Sequence, residues 1–170
     1  MTAFVGLLRA VNVGGRKLIM TELKGIANKL GLEDARTFIA SGNLLFRSGR
    51  SEASVKAMLE KALGEHMGAE VSVMVRTAAE MAAVAKANPF PDGPQAKVAA
   101  IFLDGAPPIG TAEDAKNVAN ERMALGTREI YVAYPDGMGQ SKLRIPAAKA
   151  GTARNMNTVA KLADLAKEME

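Results

Sequence analysis

Residues 3–15 read AFVGLLRAVNVGG. Val5, Leu7, Val11 and Val13 fall on one parity and Phe4, Leu8 and Ala10 on the other, so an extended chain here is apolar on both faces. A strand of that kind belongs in the middle of a sheet covered on both sides. Arg9 and Asn12 interrupt the run, and Gly14-Gly15 end it in a turn that tolerates positive φ.

Working outward from this strand, Arg16-Lys17 lead to Thr21, the predicted cap of a helix whose Leu23, Ile26, Ala27 and Leu30 follow i, i+3, i+4, i+7 and which Gly31 closes. Residues 36–40 and 44–48 read as the strands of a hairpin around Ser41-Gly42-Asn43. Ser51 caps the next helix, with Val55, Met58, Leu59, Ala62 and Leu63 inward, and Val71, Val73 and Val75 predict a half-buried strand over 70–76. The order β-α-β-β-α-β is the split, ferredoxin-like arrangement.

A second set follows. Thr77 and Glu80 have capping-box spacing for a short helix that stops at Asn88-Pro89, and the Pro-rich stretch 89–94 marks the break between halves. An apolar strand is predicted over 97–104, a helix capped by Thr111 through about residue 120, and a strand over 128–134 with 123–125 as its pairing candidate. A turn at 136–139 precedes a last helix over 155–169 that buries Val159, Leu162, Ala163 and Ala166. The expected fold is therefore α+β, with ferredoxin-like halves at 1–77 and 78–170 packed as one compact unit.

Composition narrows the chemistry. A chain of 170 residues, 48% hydrophobic, can bury a real core. The absence of cysteine excludes disulfides, thiol catalysis and thiolate metal sites. With one histidine and carboxylates that lack metal-ligand spacing, neither a metal nor a cofactor is expected. No apolar run reaches the roughly 20 residues of a membrane span and no basic leader precedes the first strand, so a cytoplasmic protein without membrane contact is expected. A net charge of +4 favours anionic partners, whereas 4% aromatic residues and no tryptophan argue against a single-strand stacking platform.

In a split β-α-β sheet the first and third strands are central, adjacent and antiparallel. Asn12, Gly14 and Gly15 should then lie near Ser41, Gly42 and Asn43, at the edge where the first helix begins with free N–H groups and Arg16-Lys17 add charge. Such a cluster would make an anion cradle. Ordinary turn chemistry accounts for the same glycines and amides. Arg9, among inward-facing valines, needs a carboxylate, a carbonyl or a ligand anion, and a structural ion pair is the simplest of these. Arg154 is expected to open the last helix, with Asn155, Asn157 or Thr158 as cap. Gly137-Met138-Gly139-Gln140-Ser141-Lys142 offers a glycine-containing loop ending on the cation Lys142, without P-loop spacing. His66 is read as solvent-facing or as a partner of its helix C-terminus, and Glu22, Asp104 and Asp136 as turn or cap residues.

Several of these stretches occur together in one known group. LLRAVNVGG, Met20-Thr21-Glu22-Leu23, TFIASGNLLF, Asn88-Pro89-Phe90, Tyr134-Pro135-Asp136-Gly137, Ser141-Lys142 and Thr152-Ala153-Arg154-Asn155-Met156-Asn157-Thr158 resemble, in order, the bacterial domain of unknown function 1697. The resemblance implies a duplicated ferredoxin-like α+β protein and brings no activity. Relatives carry tryptophan after the Arg-Asn pair where this chain has Met156, a change that alters a ligand-stacking contact or fills the same core space.

The leading expectation is a binding module for a phosphate-bearing ligand, nucleotide or nucleic acid, using Arg9, Asn12, Gly14, Gly15, Ser41, Gly42, Asn43, Lys142, Arg154 and Asn155. A small enzyme acting on a phosphorylated or acyl substrate, and a structural or dimerising scaffold, stand beside it.

Overall fold

The computed structural model describes residues 1–9, 12–13, 16–38 and 42–170, with the backbone alone of 12, 13, 16 and 17. Strands β1 (Thr2–Arg9), β2 (Asn12–Val13) and β3 (Arg16–Lys17) are followed by α1 (Met20–Lys29), β4 (Glu33–Thr37), β5 (Asn43–Ser48), α2 (Glu52–Met67), β6 (Ser72–Thr77) and α3 (Ala78–Lys86). Then come β7 (Val98–Phe102), β8 (Arg122–Leu125), β9 (Glu129–Ala133), β10 (Thr152–Asn155) and α4 (Met156–Glu168). The fold is α+β, with two four-stranded antiparallel sheets ordered β4-β5-β1-β6 and β10-β7-β9-β8. Numbered within its own sheet, each runs fourth-first-third-second. Contacts divide the chain into one unit of Met1–Met81 with Leu162–Glu170 and another of Ala82–Lys161.

In the first unit β1 is central between β5 and β6, as its two apolar faces require. Phe4 and Leu8 join Leu44, Phe46, Val73 and Val75 and the inward stripes of α1 and α2 in one core, where the Phe4 and Phe46 rings stack 5.5 Å apart. Val5 and Leu7 lie on the opposite face and are equally buried, in register with Leu45, Arg76 and Met74. Strand β6 is therefore not half-buried as its alternation suggested, because Met74 and Arg76 are enclosed along with the valines. Arg76 is the largest fully buried side chain and donates Nη1 to the Val75 carbonyl at 3.0 Å.

Helix starts follow local chemistry with one exception. Ser51 accepts from the Ser54 N–H at 3.2 Å and caps α2. Thr77 and Glu80 exchange both capping-box bonds, at 2.9 and 3.1 Å. Helix α1, by contrast, starts two residues earlier than predicted; Ile19 occupies the cap with no side-chain bond, and Thr21 falls within the first turn. The last helix starts where predicted, while the residues before it that were expected to open it, Arg154 included, are strand. Thr152–Asn155 pairs with β7, and Asn155 caps α4 by accepting from the Thr158 N–H at 2.9 Å. Strand β4 also precedes its predicted span, ending at Thr37, with a register shift beside Asp34 at φ 53°.

The second unit departs further. Its core comprises Ile101, Leu103, Ile130, Val132 and Ile145, with Tyr134 and Leu143 against them. No helix forms over 111–120: the chain turns, Thr111 donates its hydroxyl to the Pro108 carbonyl at 2.5 Å, and Lys116 makes an isolated antiparallel bridge with Arg144. Only Ala115 of that stretch packs on the core, too little apolar face to hold a helix in place. The second half thus repeats the strand order of the first without its two crossover helices. Gly151 is required where β10 begins, since a Cβ there would sit 2.6 Å from the Phe102 carbonyl oxygen.

Candidate functional site

At the N-terminal candidate, the end of β1 does lie beside the start of β5. Leu7 pairs with Asn43, and the Leu8 N–H donates to the Gly42 carbonyl at 2.8 Å. Asn43 is buried; its Nδ2 donates to the Phe38 carbonyl at 3.0 Å while its own carbonyl accepts from the Phe38 N–H at 3.2 Å. Its amide therefore closes the hairpin. Arg9 is half-buried at the end of β1, opposite Ser72. Gly14, Gly15 and Ser41 lie outside the described residues, as do the side chains of Asn12, Arg16 and Lys17.

Arg154 does not open a helix. It sits in β10 opposite Ala100, with Nη1 donating to Thr152 Oγ1 at 2.6 Å and to the Ala153 carbonyl at 2.9 Å. Burial lowers its pKa to about 10, which leaves the guanidinium charged at neutral pH. Asn155 is committed to capping α4. Neither residue lines the cleft that contains Lys142.

That cleft, of about 290 Å³, lies wholly within the second unit. Three chain segments form it: 117–121, Tyr134 with 136–137, and 140–142. Gly137, at φ 87°, turns the chain from β9 into a short 3-10 turn over Met138–Gln140, and Asn117 reverses the facing segment at φ 59°. Ser141 Oγ donates to Glu121 Oε2 at 2.5 Å and accepts from the Leu143 N–H at 3.2 Å. The Ala119 N–H donates to Glu121 Oε1 at 2.8 Å, and Asn120 Nδ2 donates to Asp136 Oδ2 at 2.9 Å. The Ser141–Glu121 and Asn120–Asp136 bonds tie segment to segment across the cleft.

The Ser141 hydroxyl, and then the backbone N–H groups of Ala119 and Glu121, hold the Glu121 carboxyl below its usual pKa. Tyr134 is pushed the other way, first by burial and then by the Glu121 charge, so its phenol stays protonated at neutral pH. Glu121 is therefore a weak base toward Ser141, and the hydroxyl is held as a hydrogen-bonding group rather than activated as a nucleophile.

Beside the cleft runs the Lys116–Arg144 bridge, with its two backbone bonds at 2.7 and 2.9 Å. Directly opposed residues on antiparallel chains project to the same side, so two exposed cations face one direction. Leu143 and Ile145 turn to the core while Lys142 and Arg144 stay exposed, which puts Lys142 on the same side as Arg144. Among the described residues none of the three makes an ion pair.

Among the described residues, Lys142 is the one predicted site residue that the cleft contains. Lys116, Glu121 and Arg144 were missed because the helix expected over 111–120 hid the segment that faces 140–144; the alternation Lys142-Leu143-Arg144-Ile145 was the signal available for an extended chain there. Among the described residues no group of histidine, aspartate and glutamate is placed to hold a metal ion, and no helix is long and apolar enough to cross a membrane.

The chain is similar over 98% of its length, and 99% of the other's, to the solved structure of the conserved bacterial protein SP0830 from Streptococcus pneumoniae, with a TM-score of 0.82 at 26% identity. None of the curated proteins matches it. The family model described as protein of unknown function (DUF1697) matches residues 1–131, which include one wall of the cleft but stop short of Tyr134, Ser141 and Lys142. By that match the chain belongs to the DUF1697 family of proteins of unknown function.

Proposed function

We propose that the protein is a binding module for a phosphate-bearing ligand, held in the second unit by Lys142, which lines the cleft, and by Lys116 and Arg144 beside it. One observation carries the reading: Lys116 and Arg144 are directly opposed like charges, with Lys142 two residues from Arg144. Opposed like charges cost stability on a sheet surface, and an anion between them relieves that repulsion. A phosphate, which spreads its charge over three oxygens, suits three cations projecting to one side better than a single carboxylate does. Binding is favoured over catalysis because the Ser141–Glu121 pair is poised to hold a hydroxyl in place, with a base too weak to deprotonate it. A cytoplasmic location agrees with such a ligand and with a chain free of cysteine. We read the shared strand order of the two sheets as a ferredoxin-like duplication whose second copy lost its crossover helices.

Isothermal titration with inorganic phosphate and pyrophosphate tests the reading. Both are expected to bind, pyrophosphate more tightly, with affinity falling as salt rises. The triple variant K116A/K142A/R144A should lose at least tenfold in affinity. Unchanged affinity in that variant would remove the site.

A further inference from the structure

The cations account for the edge of the cleft around Lys142 and leave the rest of its lining to be explained. Glu121 and Asp136 put two carboxylates there, beside the phenol of Tyr134 and the amides of Asn117, Asn120 and Gln140. Carboxylates so close to a phosphate site would repel the anion unless the ligand also brought hydrogen-bond donors to them. An ionised carboxylate has about four acceptor positions. Glu121 has given two, to the Ser141 hydroxyl and the N–H group of Ala119. Asp136 has given one, to Asn120, and Asn120 fixes its orientation. Acceptor capacity therefore remains on both groups, most of it on Asp136.

On the footing of the phosphate reading above, we infer that the ligand is a phosphate ester of a polyhydroxylated sugar, whose hydroxyls donate to Asp136 and Glu121 while its phosphate meets Lys116, Lys142 and Arg144. Several physical features agree. The cleft volume, about 290 Å³, suits a sugar-sized group and lies at the small end of ligand sites. A carboxylate that accepts from vicinal hydroxyls is a common way to recognise ribose. With its pKa lowered by Ser141, Glu121 keeps its charge well below neutral pH. Tyr134 keeps its proton and so donates to ring or bridging oxygens that the carboxylates cannot serve. The chemistry is shared by a free sugar phosphate and by a ribonucleotide.

The experiment titrates the full chain with four probes: ribose 5-phosphate, adenosine 5′-monophosphate, 2′,3′-dideoxyadenosine 5′-monophosphate and inorganic phosphate. Adenosine monophosphate should bind roughly tenfold or more tighter than its dideoxy analogue, as expected for hydrogen bonds to charged acceptors. D136N, whose exposed position leaves folding intact, should shrink that ratio toward one, and E121Q should reduce it in part. Ribose 5-phosphate matching adenosine monophosphate would identify a free sugar phosphate as the ligand class, and a clear preference for the nucleotide would identify a ribonucleotide. Equal binding of the hydroxylated and dideoxy probes, both still sensitive to K116A/K142A/R144A, would overturn the sugar inference and leave the phosphate reading standing. Failure of every phosphate probe to bind would overturn both.

Discussion

Glu121 shows how one side chain's chemistry depends on its immediate donors. Its carboxyl is held below the ordinary value chiefly by the Ser141 hydroxyl at 2.5 Å, with backbone N–H groups adding to it. Replacing Ser141 by alanine removes the largest cause, so the Glu121 pKa in S141A should rise toward its usual value. Carbon-detected NMR titration of the side-chain carboxyl reads this directly, and an unmoved pKa would show that the hydroxyl is not its principal donor. At the same scale, the glycines and amides at 41–43 illustrate a limit of composition. Asn43 has the residue type of a ligand contact, yet its amide is taken up by the Phe38 carbonyl. Type and spacing cannot distinguish these uses, because both ask for the same donor.

Among the elements, α3 is one whose start was fully legible. Thr77 and Glu80, three apart, predict two reciprocal bonds and form them. T77A should cost about 1 kcal/mol, read as a shift in the denaturant midpoint at constant slope. A loss under a few tenths would mean that the turn is held by packing alone. The stretch over 111–120 is the opposite case. Thr111 with acidic residues behind it resembles a helix start, but the segment is anchored by backbone pairing to Arg144, some 28 residues away in sequence. A partner that distant leaves no local trace. The same is true of Thr152–Asn155, whose pairing with β7 places Arg154 in a strand rather than in the opening of α4.

At the scale of the whole molecule, stability at high pH tests the burial of Tyr131. Its hydroxyl donates to the Val84 carbonyl at 2.9 Å, and burial, followed by the Glu129 charge, pushes its pKa up to about 12. Between about pH 10 and 12 the folded chain therefore holds this proton while the unfolded chain has lost it, so the stability Tyr131 contributes is intact below pH 10 and declines above it. The Arg154 term has the opposite sign in the same range, because its folded pKa of about 10 lies below the ordinary value. Comparison with Y131F separates the two. Near pH 7 the variant should be less stable by about 1 kcal/mol for the lost hydrogen bond. As pH rises past 10, that difference should shrink and reverse, by at most about 1.4 kcal/mol per pH unit. A difference independent of pH between 9 and 12 would contradict a raised phenol pKa.

Periodicity and caps were enough to predict the α+β class, the central position of β1 and the four helices that form, because each of those features is written in neighbouring residues: the double-faced apolar run of 3–8, the stripe of α2, the Thr77–Glu80 box. The cleft was beyond such a reading. It exists because the chain between β7 and β8 gives up helix for a single backbone bridge, which brings Lys116 against Arg144 and the Glu121 carboxylate against the Ser141 hydroxyl. Those contacts join segments some 20 residues or more apart, and the free energy that selects them comes from pairing and burial that no local pattern encodes.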